Sequence, residues 1–142
     1  MTGGASSRRK GFVAENDVVK HLRLNGFAYA ERRAPGTDGP DITGTPGIAF
    51  EIKNQKTLNL AGWVDQAENQ RAAKGDPYSP VIAKRTGKTN VDDWYCILPV
   101  WQLLSLLEEA GYAAPAGDAT AQYQQRIRSL NEIRRMQAGG AA

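Results

Sequence analysis

The stretch Gly39-Pro40-Asp41-Ile42-Thr43-Gly44-Thr45-Pro46-Gly47-Ile48-Ala49-Phe50-Glu51-Ile52-Lys53 decides the fold. Two short apolar runs flank a turn built from Gly and Pro, the pattern of a β-hairpin whose loop exceeds two residues. Side chains of a strand alternate between faces, so Glu51 and Lys53 share one face while Phe50 and Ile52 share the other. The apolar pair is predicted to enter a core and the charged pair to face a cleft. With Thr45-Pro46-Gly47 as the loop, Gly44 pairs with Ile48 and Asp41 falls opposite Glu51, their Cα atoms roughly 4.5 to 5.5 Å apart. Two carboxylates that close repel unless one holds a proton or a cation lies between them. A hard divalent ion with oxygen ligands answers that repulsion, and Mg2+ typically takes one or two protein carboxylates together with substrate phosphate.

The rest of the chain sets bounds on this reading. Its 142 residues suffice for one domain with a core, and 41% hydrophobic with 23% charged residues is ordinary for a soluble globular protein. No apolar run approaches a membrane span and the N-terminus lacks a signal-peptide stretch, so a cytoplasmic, membrane-free protein is expected. The single cysteine, Cys96, leaves no intrachain disulfide and no cysteine-based zinc site, and its apolar surroundings predict core packing. Net charge is only +3, but residues 1–33 hold seven Lys/Arg against three acids, residues 34–117 seven against ten, and residues 118–142 four against two. Basic flanks around an acidic centre suit a phosphate-binding surface around a metal site; solvated surface charge accounts for the same pattern.

Taken in order, residues 1–10 predict a flexible tail that ends in the basic cluster Arg8-Arg9-Lys10. From about Gly11 to Asn25 the apolar spacing is helical, and Asn25-Gly26 supplies a left-handed stop. Phe12, Val18, Val19 and Leu22 lie within about 60° of Glu15 around that helix, which puts a carboxylate at the middle of the buried stripe. A charge there needs a partner or a metal, unless its stem bends out to solvent. Phe27 to Arg33 alternates as a strand and runs into the loop Ala34 to Gly39. Beyond Lys53, an amphipathic helix is predicted from Leu60 to Lys74, capped by Asn59 and ended by Gly75, with Gln66 and Gln70 one turn apart and able to point back at the hairpin. Pro80 to Arg85 reads as a strand ending in Lys84-Arg85, and Trp94 to Leu98 as another. Gly87-Lys88-Thr89 is no phosphate-binding P-loop, because Ile82 stands where that motif needs glycine; no nucleotide cofactor is expected. Pro99 opens a helix whose Trp101, Leu103, Leu104, Leu106 and Leu107 predict core burial up to Gly111. Residues 112–142 read as a linker and a last helix from Thr120 to Gln137, its thin stripe of Tyr123, Ile127, Leu130 and Ile133 set among Arg126, Arg128, Arg134 and Arg135. That helix is an interface or a DNA contact, and the tail from Ala138 is expected to be disordered.

Pro40-Asp41 followed by Glu51-Ile52-Lys53 resembles the active-site signature of the PD-(D/E)XK nuclease superfamily. The loop from Arg33 through Thr37 to Asp41 resembles that of phage and archaeal Holliday junction resolvases, with Thr37 where a serine would be expected. The resemblance spans roughly residues 11–111 and implies an α/β restriction-endonuclease-like core, a central mixed β-sheet flanked by helices, followed by the C-terminal helix. It implies one or two Mg2+ or Mn2+ ions held by Asp41, Glu51, the Ile52 carbonyl and Glu15, with Lys53 orienting or activating water. Arg8, Arg9, Lys10, Arg33, Thr37, Lys56, Gln66, Gln70, Lys84 and Arg85 would contact DNA. The implied activity is a metal-dependent, structure-selective DNA endonuclease acting on branched DNA, a Holliday junction resolvase working as a homodimer. Another compact nuclease of restriction or flap type, an idle DNA-binding relative, and an unrelated α/β binding domain with a surface ion-pair cluster are the alternatives.

Overall fold

The computed structural model describes residues 3–114 and 121–140, with burial and side chains described for all of these except residues 3 and 121–127. By its contacts the chain divides into two compact units, Met1–Pro99 and Val100–Ala142.

The first unit begins with helix α1, Gly3–Leu24. Residues 3–10 are therefore helical rather than an irregular tail: the turns beyond Gly11 provide a nucleus, and adding residues to a formed helix is far easier than starting one. Side chains 4–10 are all exposed, and burial starts at Ala14. Two short strands follow, β1 (Glu31–Arg32) and β2 (Ile42–Thr43), paired antiparallel with Arg32 opposite Ile42. The strand predicted over 27–33 is thus only two residues long; Phe27 to Ala30 form a turn closed by the Ala30 amide on the Phe27 carbonyl.

A separate three-stranded mixed sheet holds β3 (Glu51–Lys53), β4 (Val81–Ala83) and β5 (Tyr95–Ile97) in the order β3-β4-β5. Strand β3 runs parallel to β4, and β4 antiparallel to β5. Helix α2, Leu60–Lys74, joins β3 to β4 as the helical crossover that a parallel pair requires. Its predicted ends hold: the Asn59 side chain accepts from the Gly62 amide, and Gly75 closes it in the left-handed conformation.

The sheet is covered on both faces. Ile52 and Ile82 pack with Ala14, Val18, Val19 and Leu22 of α1, together with Phe50, Ile42 and Trp94. Val81 and Ala83, on the other face, pack with Trp63 and Ala67 of α2. Since Glu51 is in register with Val81 and Lys53 with Ala83, both charged residues belong to the α2 face. The result is an α/β fold with a small mixed sheet between helices.

The predicted hairpin pairing does not form. Gly44 lies against the Tyr29 carbonyl and Ile48 bridges to Tyr78 in parallel, so β2 follows β1 while β3 follows β4. Two expected core residues are also elsewhere. Phe12 is exposed with the Arg32 guanidinium 4.0 Å from its ring centre, and Cys96 is exposed on β5.

The second unit contains α3, Val100–Glu109, and α4, Ala121–Gly139. Of the five residues predicted to be buried, Trp101, Leu103 and Leu104 are exposed and Leu106 and Leu107 half-buried, because apolar periodicity marks a face without saying what covers it. Helix α4 continues through Gly139, past the point where disorder was expected; Ile133 is half-exposed. Linker residues 115–118 and the side chains of Tyr123, Arg126 and Ile127 lie outside the described residues.

Candidate active site

Asp41 stands where the two sheets meet. Its carbonyl accepts from the Arg33 amide (2.9 Å) and its amide donates to the Phe50 carbonyl (3.1 Å), so one residue continues both the β1 and the β3 edges. Its carboxylate does the work of a missing ladder carbonyl: Asp41 Oδ2 accepts from the Ile52 amide at 2.8 Å. On the opposite edge, Glu51 and Lys53 direct their backbone groups to β4, with the Glu51 amide on the Pro80 carbonyl and the Lys53 carbonyl receiving the Lys84 amide. Ile52 therefore turns its amide, and with it its carbonyl, toward Asp41. Despite the altered pairing, Asp41 is bonded on either side of Glu51.

Glu51 is buried, 2% exposed. Its Oε1 accepts from Lys53 Nζ at 2.9 Å, while Oε2 is buried with no hydrogen-bond partner among the described residues. Burial and the neighbouring Asp41 carboxylate raise the Glu51 pKa above the ordinary 4.5, and Lys53 and Arg33 oppose the shift without cancelling it. Lys53 Nζ also donates to Gln66 Oε1 at 2.9 Å, so α2 fixes the amine from the far side.

A cavity of about 630 Å3 opens over this group. Asp41, Glu51, Ile52, Lys53 and Glu15 line it together with Ser7, Lys10, Asn54 and Lys56. Lys53 offsets the Glu51 charge through Oε1, but the buried Oε2 is an acceptor without a donor, which a cation would satisfy. The Glu51 oxygen, the Asp41 carboxylate and the Ile52 carbonyl form an all-oxygen set of the hard type that Mg2+ and Mn2+ accept, so the residues fit such an ion.

Glu15 reaches the same cavity by a different route. It sits on α1, which covers the Ile52 face, whereas Glu51 lies on the α2 face. Arg32 Nε holds Glu15 Oε2 at 2.7 Å, so the partner that a carboxylate in this stripe needs is an arginine. Among the described residues no three acidic, histidine or cysteine side chains come together as a metal-binding group.

The residues predicted to bind DNA are divided. Lys10 and Lys56 line the cavity, and Arg8 and Arg9 are exposed on the preceding turn of α1. Arg33 pairs with Asp41 Oδ1 at 3.7 Å and donates to the Thr37 carbonyl. Thr37 is spent on its own loop, its hydroxyl donating to the Ala34 carbonyl. Gln70 does not line the cavity. Neither do Lys84 and Arg85, which lie over the rings of Trp94 and Tyr95 at 5.4 and 5.7 Å. Asn54, which lines the cavity and reaches the Lys10 carbonyl at 3.4 Å, was not singled out from sequence; its place directly after Glu51-Ile52-Lys53 was the available signal.

No protein-family model, no curated protein and no solved structure matches this chain.

Proposed function

We propose that this protein is a divalent-metal-dependent DNA endonuclease of the PD-(D/E)XK type, with a restriction-endonuclease-like core. A structure-selective enzyme acting on branched DNA, as Holliday junction resolvases do, is the preferred reading. The observation that carries the proposal is the buried, unpartnered Glu51 Oε2 beside Asp41 and Lys53, in a cavity that Lys10 and Lys56 also line.

Asp41, Glu51 and the Ile52 carbonyl would hold the Mg2+ or Mn2+, which when bound supplies Lewis acidity to the scissile phosphate and a more acidic water. The chain's own groups do the positioning. Lys53, fixed between Glu51 and Gln66, presents an amine that can orient the attacking water and donate to the negative charge that grows on the phosphoryl oxygens. The Ile52 amide prevents the Asp41 carboxylate from rotating away. Lys10, Lys56 and the exposed Arg8 and Arg9 supply backbone-phosphate contacts that carry no sequence preference.

A second reading rests on the ion pairs Asp41 with Arg33, Glu51 with Lys53, and Glu15 with Arg32. On that reading the cluster is structural and the protein binds without cutting. Incubation with four-way junction, flap, nicked and linear DNA separates the two. The nuclease reading expects cleavage in Mg2+, none in EDTA, and preference for a branched substrate; intact DNA in every lane, with Mn2+ also tried, selects the structural reading.

A further inference from the structure

Two consecutive arginines meet two carboxylates of the cavity in different ways. Arg32 is tightly engaged: its Nε lies 2.7 Å from Glu15 Oε2, and its guanidinium covers the Phe12 ring. Arg33 is loosely held. Its nearest approach to Asp41 is 3.7 Å, well beyond the roughly 2.7–2.9 Å of a charge-assisted hydrogen bond. One of its terminal nitrogens is spent on the Thr37 carbonyl, and its Nε is buried with no hydrogen-bond partner among the described residues. A cavity of about 150 Å3, lined by Arg33, Ala34, Gly36, Asp41 and Glu15, adjoins the guanidinium. So Arg33 leaves its buried Nε unsatisfied and makes no close bond to the carboxylate beside it, with a cavity alongside.

We propose that Arg33 is an exchangeable counter-ion of Asp41, giving up the carboxylate when a divalent cation binds there and then taking a DNA phosphate. This rests on the nuclease reading above and adds a coupling to it. In the metal-free protein the Arg33 charge offsets part of the repulsion between Asp41 and Glu51. A cation bound to those carboxylates replaces that service and repels the guanidinium. A phosphate oxygen then offers Arg33 the planar two-point acceptor that Asp41 does not give it. Metal and DNA must accordingly strengthen each other's binding, since each favours the state in which Arg33 has left Asp41. A rigid third partner of the carboxylates, as Arg32 is for Glu15, would produce no such linkage.

The test uses the full chain and two binding measurements that need no turnover. Mn2+ binding is titrated calorimetrically, and junction DNA binding is followed by fluorescence anisotropy in EDTA and in Ca2+, for wild type, Arg33→Gln, Arg33→Lys and Lys56→Gln. Lys56 lines the main cavity, so Lys56→Gln reports the through-space effect of losing one positive charge. Arg33→Gln is expected to bind Mn2+ on the order of fivefold more tightly than Lys56→Gln, because it removes a competitor as well as a charge. Its DNA affinity should lose most of the gain that Ca2+ gives wild type, and the slope of log K against log salt in Ca2+ should fall by about one. Arg33→Lys retains the charge and should keep a partial gain. Equal Mn2+ affinities in Arg33→Gln and Lys56→Gln, or weaker Mn2+ binding in Arg33→Gln with its fold intact by circular dichroism, overturns the exchange and leaves the nuclease reading standing. Absence of any Mn2+ binding by the wild-type protein removes both.

Discussion

Glu51 gives one carboxylate oxygen to Lys53 and holds the other in a dry position without a donor. Because burial raises its folded-state pKa, the native protein binds this proton more tightly than the unfolded chain does. Stability linked to Glu51 is then full below the unfolded value near 4.5 and declines as pH rises through the raised folded value. Glu51→Gln removes the charge and keeps the shape. Thermal melts should place this variant progressively above wild type as pH climbs through that window, with no further separation beyond it, and the melting shift that the proposed metal site predicts for wild type in Mn2+ should be absent from the variant. A variant that melts below wild type at neutral pH would mean that the Lys53 pair outweighs the burial penalty. Asp41→Asn makes the complementary point, since its remaining oxygen can still accept from Ile52: cleavage should drop by at least about a thousandfold with junction binding in EDTA nearly unchanged. Gln66→Leu strips Lys53 of its second acceptor and lets the amine turn wholly to Glu51. It should lower kcat by about tenfold or more with little change in KM, a split that loss of DNA contact would not produce.

At the level of elements, the crossing of β1 and β2 is the feature that the order of residues concealed. A Cβ on Gly44 would stand 1.8 Å from the Tyr29 carbonyl, and Gly44 has φ +74°. Gly44→Ala should therefore cost about 2 kcal/mol or more in a chemical denaturation experiment, whereas a Gly44 paired to Ile48 in an ordinary hairpin would tolerate alanine far better. The ends of α2 were legible in the sequence, with Asn59 as the cap and Gly75 as the stop, whereas its buried Trp63 and Ala67 emerge from the fold. Alternation along Phe50 to Lys53 likewise fixed which side chains share a face, because that depends only on the strand's own pleat. Pairing partners were not legible, since Gly44 packs against the Tyr29 carbonyl and Ile48 bridges to Tyr78, residues distant along the chain. The same limit applies to Glu15. Its position in the apolar stripe said that a partner was required, but only the folded register brought Arg32 to it.

Across the whole molecule, charge is arranged so that a modest net excess acts locally. Glu51 and Asp41 line the same cavity as Lys10 and Lys56, and Arg8 and Arg9 are exposed on the preceding turn of α1. Exposed cations of this kind contribute little to stability, because each is solvated in both the folded and the unfolded states. On the proposed nuclease reading they serve to attract DNA, whose binding releases the counter-ions condensed on it. Replacing Arg8, Arg9 and Lys10 together by Gln keeps helix-forming residues in the first turns of α1 and removes three positive charges. The melting temperature should stay within about 2 °C of wild type, in keeping with the small effect of exposed substitutions. DNA affinity near physiological salt should fall by about tenfold or more, and the slope of log K against log salt should lessen by up to about three, since each lost phosphate contact accounts for roughly one. Because none of the three is bonded to Asp41, Glu51 or Lys53, saturating the variant with DNA should restore the wild-type cleavage rate. A variant that cuts slowly even at saturation would assign the α1 extension to the chemistry itself, and one that binds with an unaltered salt slope would take the basic rim out of the DNA path.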